Sequence, residues 1–306
     1  MLTNHLGEIF ALLTALLWTA SAIIFESVSR KIDSMVVNLM RLAMALVMLS
    51  IYTWVTRGFI LPFDATFHQW FWLLVSGIVG FVFGDLFLFQ AFATIGSRIS
   101  MLIMSMVPPL TAILGLIFLG ERMSLKNLMG MAITLFGIAL VVLKHRPTET
   151  EPQPETKSSE EKKLPVSGIM CAVLGAIGQA VGMVTGKLGL GNYNAFSAAQ
   201  IRLIAGVAGF TIILGFAKKW PPFFKTCRNK KSMSILAFAA FIGSFIGVSL
   251  SMLSIQYTST GIASTIIALV PVLIIVPSVI VFHEKVTFKE VIAAFIAVAG
   301  TAIFFL

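Results

Sequence analysis

An acidic residue within an apolar stretch is the most unusual chemical feature of this 306-residue chain. Asp85 lies in the segment GFVFGDLFLFQ and is the only acid well inside a long apolar run. A charge in hydrocarbon costs at least about 2.5–3.5 kcal/mol, so such residues usually face a cavity or a partner. Two roles are therefore open for Asp85. One is contact with a substrate amine or proton coupling, and the other is a structural ion pair, for which Arg98 on the following turn is the expected partner.

Two arginines and two glutamates lie inside or at the ends of other apolar runs. Arg41 and Arg202 each lie about two helical turns into a run. A guanidinium there binds a carboxylate or a phosphate, or its long stem carries the charge to the membrane interface while holding neighbouring helices. Glu121 and Glu284 end their runs beside basic residues, which favours solvated helix ends or gate salt bridges.

Prolines, aromatic rings and small polar side chains complete the set of candidate functional residues. Proline frees a carbonyl and bends a helix, so Pro108-Pro109, Pro271 and Pro277 are candidate hinges or static kinks. Aromatic rings offer stacking and cation–π surfaces, while amides and hydroxyls offer hydrogen bonds. The side chains predicted to line a central cavity are Trp18, Phe81, Phe89, Gln90, Ser105, Gln179, Ser251 and Thr265.

The composition indicates that these residues lie in a lipid bilayer. Hydrophobic residues make up 58% of the chain and charged residues 11%, with a mean hydropathy of +0.97. A soluble domain of this size needs about twice that charged fraction, so a cytosolic enzyme is excluded. The net charge of +9 lies mostly in short loops, which indicates membrane topology rather than nucleic-acid binding. Cys171 and Cys227 form neither a disulfide framework nor a metal site, and no cofactor is expected.

Ten apolar runs are long enough to be spanning helices, which predicts an all-α integral membrane protein. One polar segment, residues 144–165, is too charged to bury a core and is expected to be a flexible linker. It divides the chain into residues 1–143 and 166–306, with five spans each. The predicted spans are 7–25, 34–56, 69–93, 99–119, 125–143, 166–186, 195–217, 232–256, 261–283 and 287–306.

The two five-span units are related by an internal repeat. In one register of the alignment, Pro108 meets Pro271 and Glu121 meets Glu284 without a gap. In a slightly different register, which aligns the front of each unit, Arg41 meets Arg202. Because five is odd, the second unit enters the membrane from the opposite side. Inverted repeats are typical of secondary transporters, whose substrate site lies near the midplane between the repeats.

The distribution of basic residues predicts the orientation of the chain. Of the 22 Lys and Arg residues, 16 lie in the odd-numbered loops and four in the even-numbered loops and termini. This count places the linker in the cytoplasm and both termini outside.

Two segments carry a resemblance to a known family. GDLFLFQAFATIGSRISMLIMSMVPPLTAILGLIFLGE, residues 84–121, and VPVLIIVPSVIVFHE, residues 270–284, resemble the EamA-type branch of the drug/metabolite transporter superfamily. The resemblance covers nearly the whole chain and implies ten helices around a central cavity, with export or exchange of amino acids and other small metabolites. It also implies cytoplasmic termini, opposite to the charge count. The four-span relatives carry a coupling glutamate in their first span, and the segment IFALLTALLWTASAIIF, residues 9–25, has none.

Other function classes fit the residues less well. His283-Glu284 begins a zinc-protease motif whose second histidine is replaced by Thr287, and no nucleotide motif is found, so no enzyme is expected. A channel needs rings of carbonyls or charges, which one two-fold repeat with one buried acid does not supply. The sequence predicts a metabolite carrier of the cytoplasmic membrane, a monomer or homodimer, that exports a zwitterion such as an amino acid. The alternative is an importer or exchanger of a nucleobase- or cofactor-like compound that stacks on Trp18.

Overall fold

The computed structural model describes residues 5–29, 32–144, 165–273 and 288–305, and every regular element within those ranges is helical. This confirms the predicted all-α class for the described part of the chain. The first half contains helices α1 Leu6–Ser29, α2 Ser34–Arg57, α3 Phe67–Gly77, α4 Asp85–Met104, α5 Val107–Leu119 and α6 Leu125–Lys144. The second half contains α7 Val166–Leu190, α8 Ala195–Phe216, α9 Trp220–Arg228, α10 Lys230–Ala239, α11 Val248–Tyr257, α12 Thr260–Ile267, α13 Val270–Leu273 and α14 Phe288–Ala302.

A π-helical segment interrupts one long helix in each half of the chain. π1, Ile78–Gly84, joins α3 to α4, and π2, Ala240–Gly247, joins α10 to α11. The alignment that places Pro108 on Pro271 also superposes the ends of these segments, Gly84 on Gly247. Wide turns of this kind leave backbone carbonyls without their usual helical partner and are frequent at functional sites.

Five helical stretches are long and apolar enough to cross a membrane: Met35–Arg57, Phe67–Leu88, Val166–Leu190, Ala195–Phe216 and Lys230–Tyr257. Five shorter apolar helices accompany them: Leu6–Ala22, Val107–Leu119, Leu125–Leu140, Thr260–Leu273 and Val291–Phe305. Each of these stretches overlaps one predicted span. Large apolar side chains also cover the outer surface; Phe67 and Phe216, for example, are 86% and 85% exposed. Lipid contact accounts for such faces, which in water would drive aggregation.

The boundary predicted between the third and fourth spans is wrong. The sequence predicts a loop between residues 93 and 99, but α4 continues to Met104 and the chain turns at Ser105 and Met106. The equivalent region of the second half does break, because Thr258 is extended and Ser259 caps α12 by accepting a hydrogen bond from the Ile262 backbone N–H. The two halves therefore differ in conformation at this position.

Of the two roles open for the prolines, the static kink is wrong for Pro108 and Pro271. Pro108 lies in the first turn of α5 and Pro271 in the first turn of α13, each just after a two-residue turn. Proline is well tolerated there because the first backbone N–H groups of a helix have no helical partner. These residues therefore start helices instead of bending them. Pro277 lies outside the described residues.

Backbone-to-backbone contact at glycines holds the last helix of each half against the other. α6 packs on α14, where a Cβ atom added to Gly137 would lie 2.4 Å from the Ala297 backbone nitrogen. A Cβ atom on Gly300, the residue equivalent to Gly137, would lie 2.5 Å from the Thr134 backbone nitrogen. Small residues at such crossings let helices in lipid approach closely. This pair of glycines joins the two halves of the chain.

The helix ends collect into two groups. The terminal end of the bundle is defined as the end where the His5 and Phe305 ring centres lie 5.9 Å apart. The end of α11 lies there too, because the hydroxyl of Thr258, which follows α11, donates to Glu8 at 2.9 Å. There the Tyr193 hydroxyl donates to Asp64, and the Gln256 side chain donates to the Tyr193 backbone carbonyl. The linker end, defined as the opposite end, holds an ion pair of 2.7 Å between Lys219 and Asp33.

The Asp33–Lys219 pair predicts a pH dependence of stability. Burial raises the pKa of Asp33, but hydrogen bonds from Lys219 and the Met35 backbone N–H, with the Lys219 charge, lower it below the ordinary 3.8. A lowered folded-state pKa means that the pair stabilises the fold at higher pH and is lost as pH falls through that pKa. Asp33→Asn, which keeps the helix cap, should therefore melt below the parent protein at pH 7. Melting curves over pH should show this gap closing below pH 3.8; a constant gap would contradict the assignment.

Candidate functional site

A buried ion pair lies at the point where π1 returns to α-helix. Asp85 is the first residue of α4 and is 8% exposed. Its Oδ2 atom lies 2.5 Å from Arg41 Nη2 on α2, 44 residues earlier in the chain. Arg41 is itself oriented by Asn38, whose side-chain oxygen accepts a hydrogen bond of 2.7 Å from Arg41 Nε. The Asp85 charge is thus neutralised by a side chain of the same half of the chain.

The second half of the chain completes this site through Gln179 on α7. Gln179 Nε2 donates to Asp85 Oδ1 at 2.9 Å and to the Gly80 backbone carbonyl of π1 at 3.2 Å. One amide therefore satisfies both the remaining carboxylate oxygen and a carbonyl of the π-helical segment. Glycine at position 84 favours this approach, because a Cβ atom there would lie 3.0 Å from Gln179 Nε2 and the Gln179 side chain would have to shift.

Arg202 on α8 is a second buried cation beside this pair. It is 6% exposed, and its Nε atom has no hydrogen-bond partner. Its guanidinium lies 4.7 Å from the centre of the Phe81 ring, and Nη1 donates to Met252 Sδ at 3.3 Å. None of the ion pairs among the described residues includes Arg202. A guanidinium stays protonated, so a positive charge is held here without a carboxylate in contact.

The two halves make the same hydrogen bond to their π-helical segments. Trp18 Nε1 on α1 donates to the Gly243 carbonyl of π2 at 3.1 Å. The repeat aligns Trp18 with Gln179 and Gly80 with Gly243, so this bond matches that from Gln179 to Gly80. The halves differ at the residue that follows each π-helical segment. Asp85 begins α4 after π1, whereas Val248 begins α11 after π2. The polar site is therefore asymmetric on a nearly symmetric frame.

A second polar contact joins the halves at the terminal end. Glu121, which follows α5, lies 2.5 Å from Lys187 Nζ on α7. Its other oxygen accepts hydrogen bonds of 2.8 Å from both the backbone N–H and the hydroxyl of Thr260 at the start of α12. Lys187 also donates to the Thr258 carbonyl at 2.6 Å. Glu121 thus caps α12 and pairs with Lys187, so that it joins the first half of the chain to the second.

The other residues predicted to line a cavity are placed as follows. Ser251 and Thr265 are buried, and their hydroxyls donate to carbonyls of their own helices. Gln90 is exposed on α4, and Ser105 lies in the turn before α5. The Phe89 and Arg98 side chains and all of Glu284 lie outside the description. The structure therefore brings together Asp85, Gln179 and Phe81 of the predicted lining set, with Arg41 and Arg202, and places Trp18 at the equivalent position.

The expected pairing of Asp85 with Arg98 is wrong. Because α4 is continuous, residue 98 lies about 20 Å along the axis from Asp85 at 1.5 Å per residue. Lys187 and Asn38 were not anticipated as partners. Lys187 follows the end of its predicted span by one residue, which was the available signal for a helix-end cation. Asn38 lies three residues before Arg41 in α2, a spacing at which helical side chains meet.

The apolar clefts found among the described residues are not lined by the residues of this site. A groove of about 330 Å³ on α2 is lined by Leu46, Val47, Ser50, Ile51, Trp54 and Ile60. A neighbouring groove of about 300 Å³ is lined by Ala43, Met44, Val47 and Met48. Both lie beside exposed apolar side chains of α2, such as Val47 and Trp54, which makes them places for lipid chains.

Comparison with known proteins identifies the family. The EamA-like transporter family model matches residues 5–143 and 166–306. No curated protein sequence matches the chain. One solved structure, described only as a crystal structure of a protein, is similar with a TM-score of 0.71 and 15% identity, over 98% of this chain and 97% of that one; this likeness shows the fold. Because the family model covers most of the chain in two repeats, the protein belongs to the EamA-like transporter family and is a multi-pass membrane transporter of small molecules.

Proposed function

We propose that this protein is an alternating-access carrier of a small polar metabolite, built from ten spanning helices in two inverted five-helix repeats, residues 1–143 and 166–306. The observation that carries the proposal is the buried site shared by both halves, with Asp85 and Arg41 from the first and Gln179 and Arg202 from the second. Charged residues are retained in a membrane interior at high cost, mainly where they serve a pathway or a partner. Substrate sites of inverted-repeat carriers lie between their repeats.

The contacts at the two helix ends support the inverted arrangement. The segment before α3 meets the last turn of α11 at the terminal end, through Asp64, Tyr193 and Gln256. Helices α3 and α10 occupy equivalent places in their repeats, and α10 starts next to α9 at the linker end. Equivalent helices then run in opposite directions. Two nearly equal packings that open to opposite ends are a physical consequence of such a frame.

The linker end is proposed to face the cytoplasm. The segment around α9 carries six basic residues and no acid, and five of them are exposed. Basic residues beside spanning helices favour the cytoplasmic side. Their exposed members are Lys218, Lys225, Arg228, Lys230 and Lys231.

The substrate proposed is a zwitterion such as an amino acid, with export across the cytoplasmic membrane as the direction. The cluster supports this class because it presents one carboxylate and two guanidiniums, the groups that pair with an amine and a carboxylate. The alternative, a stacking ligand on Trp18, receives less support. The indole N–H of Trp18 already donates to Gly243, and its ring packs in the apolar core.

Counterflow in proteoliposomes tests the proposed function. Vesicles loaded with a mixture of unlabelled amino acids should take up labelled amino acid faster than empty vesicles, and the uptake should saturate. Asp85→Asn should lower this exchange at least about tenfold, because it removes the charge that pairs with Arg41. Asp64→Asn at the terminal end is the matched control and should exchange at close to the parental rate. Uptake that is linear in concentration and indifferent to the internal solute would indicate a channel instead.

A further inference from the structure

Two arginines at equivalent positions of the repeat interact with the Asp85 carboxylate. Arg41 is the eighth residue of α2, and Arg202 is the eighth residue of α8. The internal repeat aligns these two residues with each other. Asp85 interacts electrostatically with both, although only Arg41 is in contact with it. Because Val248 occupies the position equivalent to Asp85, one anion serves two cations.

The two arginines are satisfied unequally in this structure. Arg41 has the carboxylate at 2.5 Å and the Asn38 oxygen at 2.7 Å. Arg202 has a ring face, a thioether sulfur and an Nε atom without a partner, although it is the more deeply buried of the two. A buried charge without a counter-ion is strongly unfavourable. Arg202 is therefore the group that gains most from meeting a carboxylate.

A short path connects Asp85 with Arg202. Gln179 Nε2 touches both Asp85 Oδ1 and the Gly80 carbonyl. On the other side of Gly80, Arg202 Nη2 would lie 3.5 Å from a Cβ atom at that position. The backbone at Gly80 therefore borders both the Gln179 amide and the Arg202 guanidinium, and glycine adds no side chain of its own there.

We propose that Arg202 is the second partner of the Asp85 carboxylate, and that Asp85 exchanges Arg41 for Arg202 when the protein changes between its two open forms. The exchange neutralises Arg202 and leaves Arg41 without a carboxylate, as Arg202 is now. Because the two arginines occupy equivalent positions of the repeat, the carboxylate has two alternative cationic partners, which is the condition for a two-state element. The inference rests on the proposed alternating-access function and adds the positioning role of Arg202 to it.

A thermal double-mutant cycle on the purified full-length protein tests the proposal without knowledge of the substrate. The variants are Arg41→Met, Arg202→Met and the two together. If Asp85 uses either arginine, each single replacement leaves it one partner, and only the double variant strands a buried carboxylate. The double variant should then melt lower than the sum of the single effects by about 5 °C or more. Additive effects would overturn the proposal.

Arg57→Met combined with Arg202→Met is the matched control for the cycle. Arg57 lies on the same helix as Arg41 but pairs with Asp64 at the terminal end. Its effect should add to that of Arg202→Met, because the two arginines share no partner.

A second measurement covers the case in which the double variant does not fold. Ser251→Cys, in a background with Cys171→Ala and Cys227→Ala, reports which side of the membrane reaches the buried part of α11, one residue from the Arg202 contact Met252. Arg41→Met leaves Asp85 only the pairing with Arg202, and Arg202→Met leaves it only the pairing with Arg41. The ratio of cysteine labelling from the two sides of the membrane should therefore shift in opposite directions in the two variants. The two ratios should differ by about tenfold. Equal ratios in the two variants would overturn the proposal. If the double-mutant cycle is non-additive but the protein shows no counterflow, the carrier function alone is contradicted.

Discussion

Replacing Asp85 by alanine is expected to lower the free energy of unfolding by about 3–5 kcal/mol, the cost of removing one partner from a buried ion pair. The replacement leaves Arg41 without its carboxylate and Gln179 without one of its two acceptors. It also removes a negative charge that interacts with Arg202. Denaturation of the purified protein in detergent, followed by fluorescence or circular dichroism, measures the loss.

Asp64→Ala is the control for this prediction. Asp64 pairs with Arg57, on the same helix as Arg41, and at nearly the same distance, 2.6 Å against 2.5 Å. The difference is burial, because both partners of the Arg57–Asp64 pair are more exposed than those of the Arg41–Asp85 pair. Exposed pairs contribute about 0–1 kcal/mol. Equal losses in the two variants would show that Asp85 is solvated rather than part of a buried cluster.

Gly182→Val is expected to destabilise the fold and to abolish transport, since α7 packs backbone to backbone on π1 at this position. A Cβ atom on Gly182 would lie 2.6 Å from Gly80 Cα and 3.0 Å from its nitrogen. Neither backbone can move alone, so overpacking should cost about 1–3 kcal/mol and displace the Gly80 carbonyl that Gln179 holds. Melting temperature and counterflow should therefore fall together.

Gly215→Val distinguishes this contact from the general effect of valine in a helix. A Cβ atom at Gly215 would come no closer than 3.8 Å to a neighbouring atom, Trp220 Nε1. Only the intrinsic helical preference changes there, and that effect favours valine by a few tenths of a kcal/mol. A comparable loss in both glycine variants would show that α7 and π1 are not in close contact.

The location of the apolar helices was predictable from the sequence, because a bilayer requires long apolar runs wherever a helix crosses it. The end of α4 was not. Residues 94–98 contain Thr94, Gly96, Ser97 and Arg98, a composition that favours a loop, yet the helix continues through them. In the second half the break at Ser259 is stabilised by its own cap and by Glu121 from the other half. That contact between the two halves of the chain has no signature in the local sequence.

The candidate site was predictable residue by residue but not as an arrangement. Asp85 stood out because it is an acid in an apolar run. Its pairing with Arg41 depends on which helices touch, and hydropathy carries no information on that. Gln179 and Trp18 occupy equivalent places in the repeat, so the alignment indicated related positions. Their common role, donation to a π-helical carbonyl, required the π segments, which leave no mark in the apolar pattern.

Labelling of a single buried cysteine from the two sides of the membrane tests the central claim most directly. The reporter is Ser251→Cys in the background without the native cysteines, reconstituted in oriented vesicles and treated with a membrane-impermeant thiol reagent. Ser251 is 4% exposed and lies on α11, one position before Met252, which contacts Arg202. If the protein is an alternating-access carrier, the cysteine is modified from either side. Amino acids added inside or outside the vesicles then change the two modification rates in opposite directions. Modification from one side only, at a rate that solute does not change, would contradict the account.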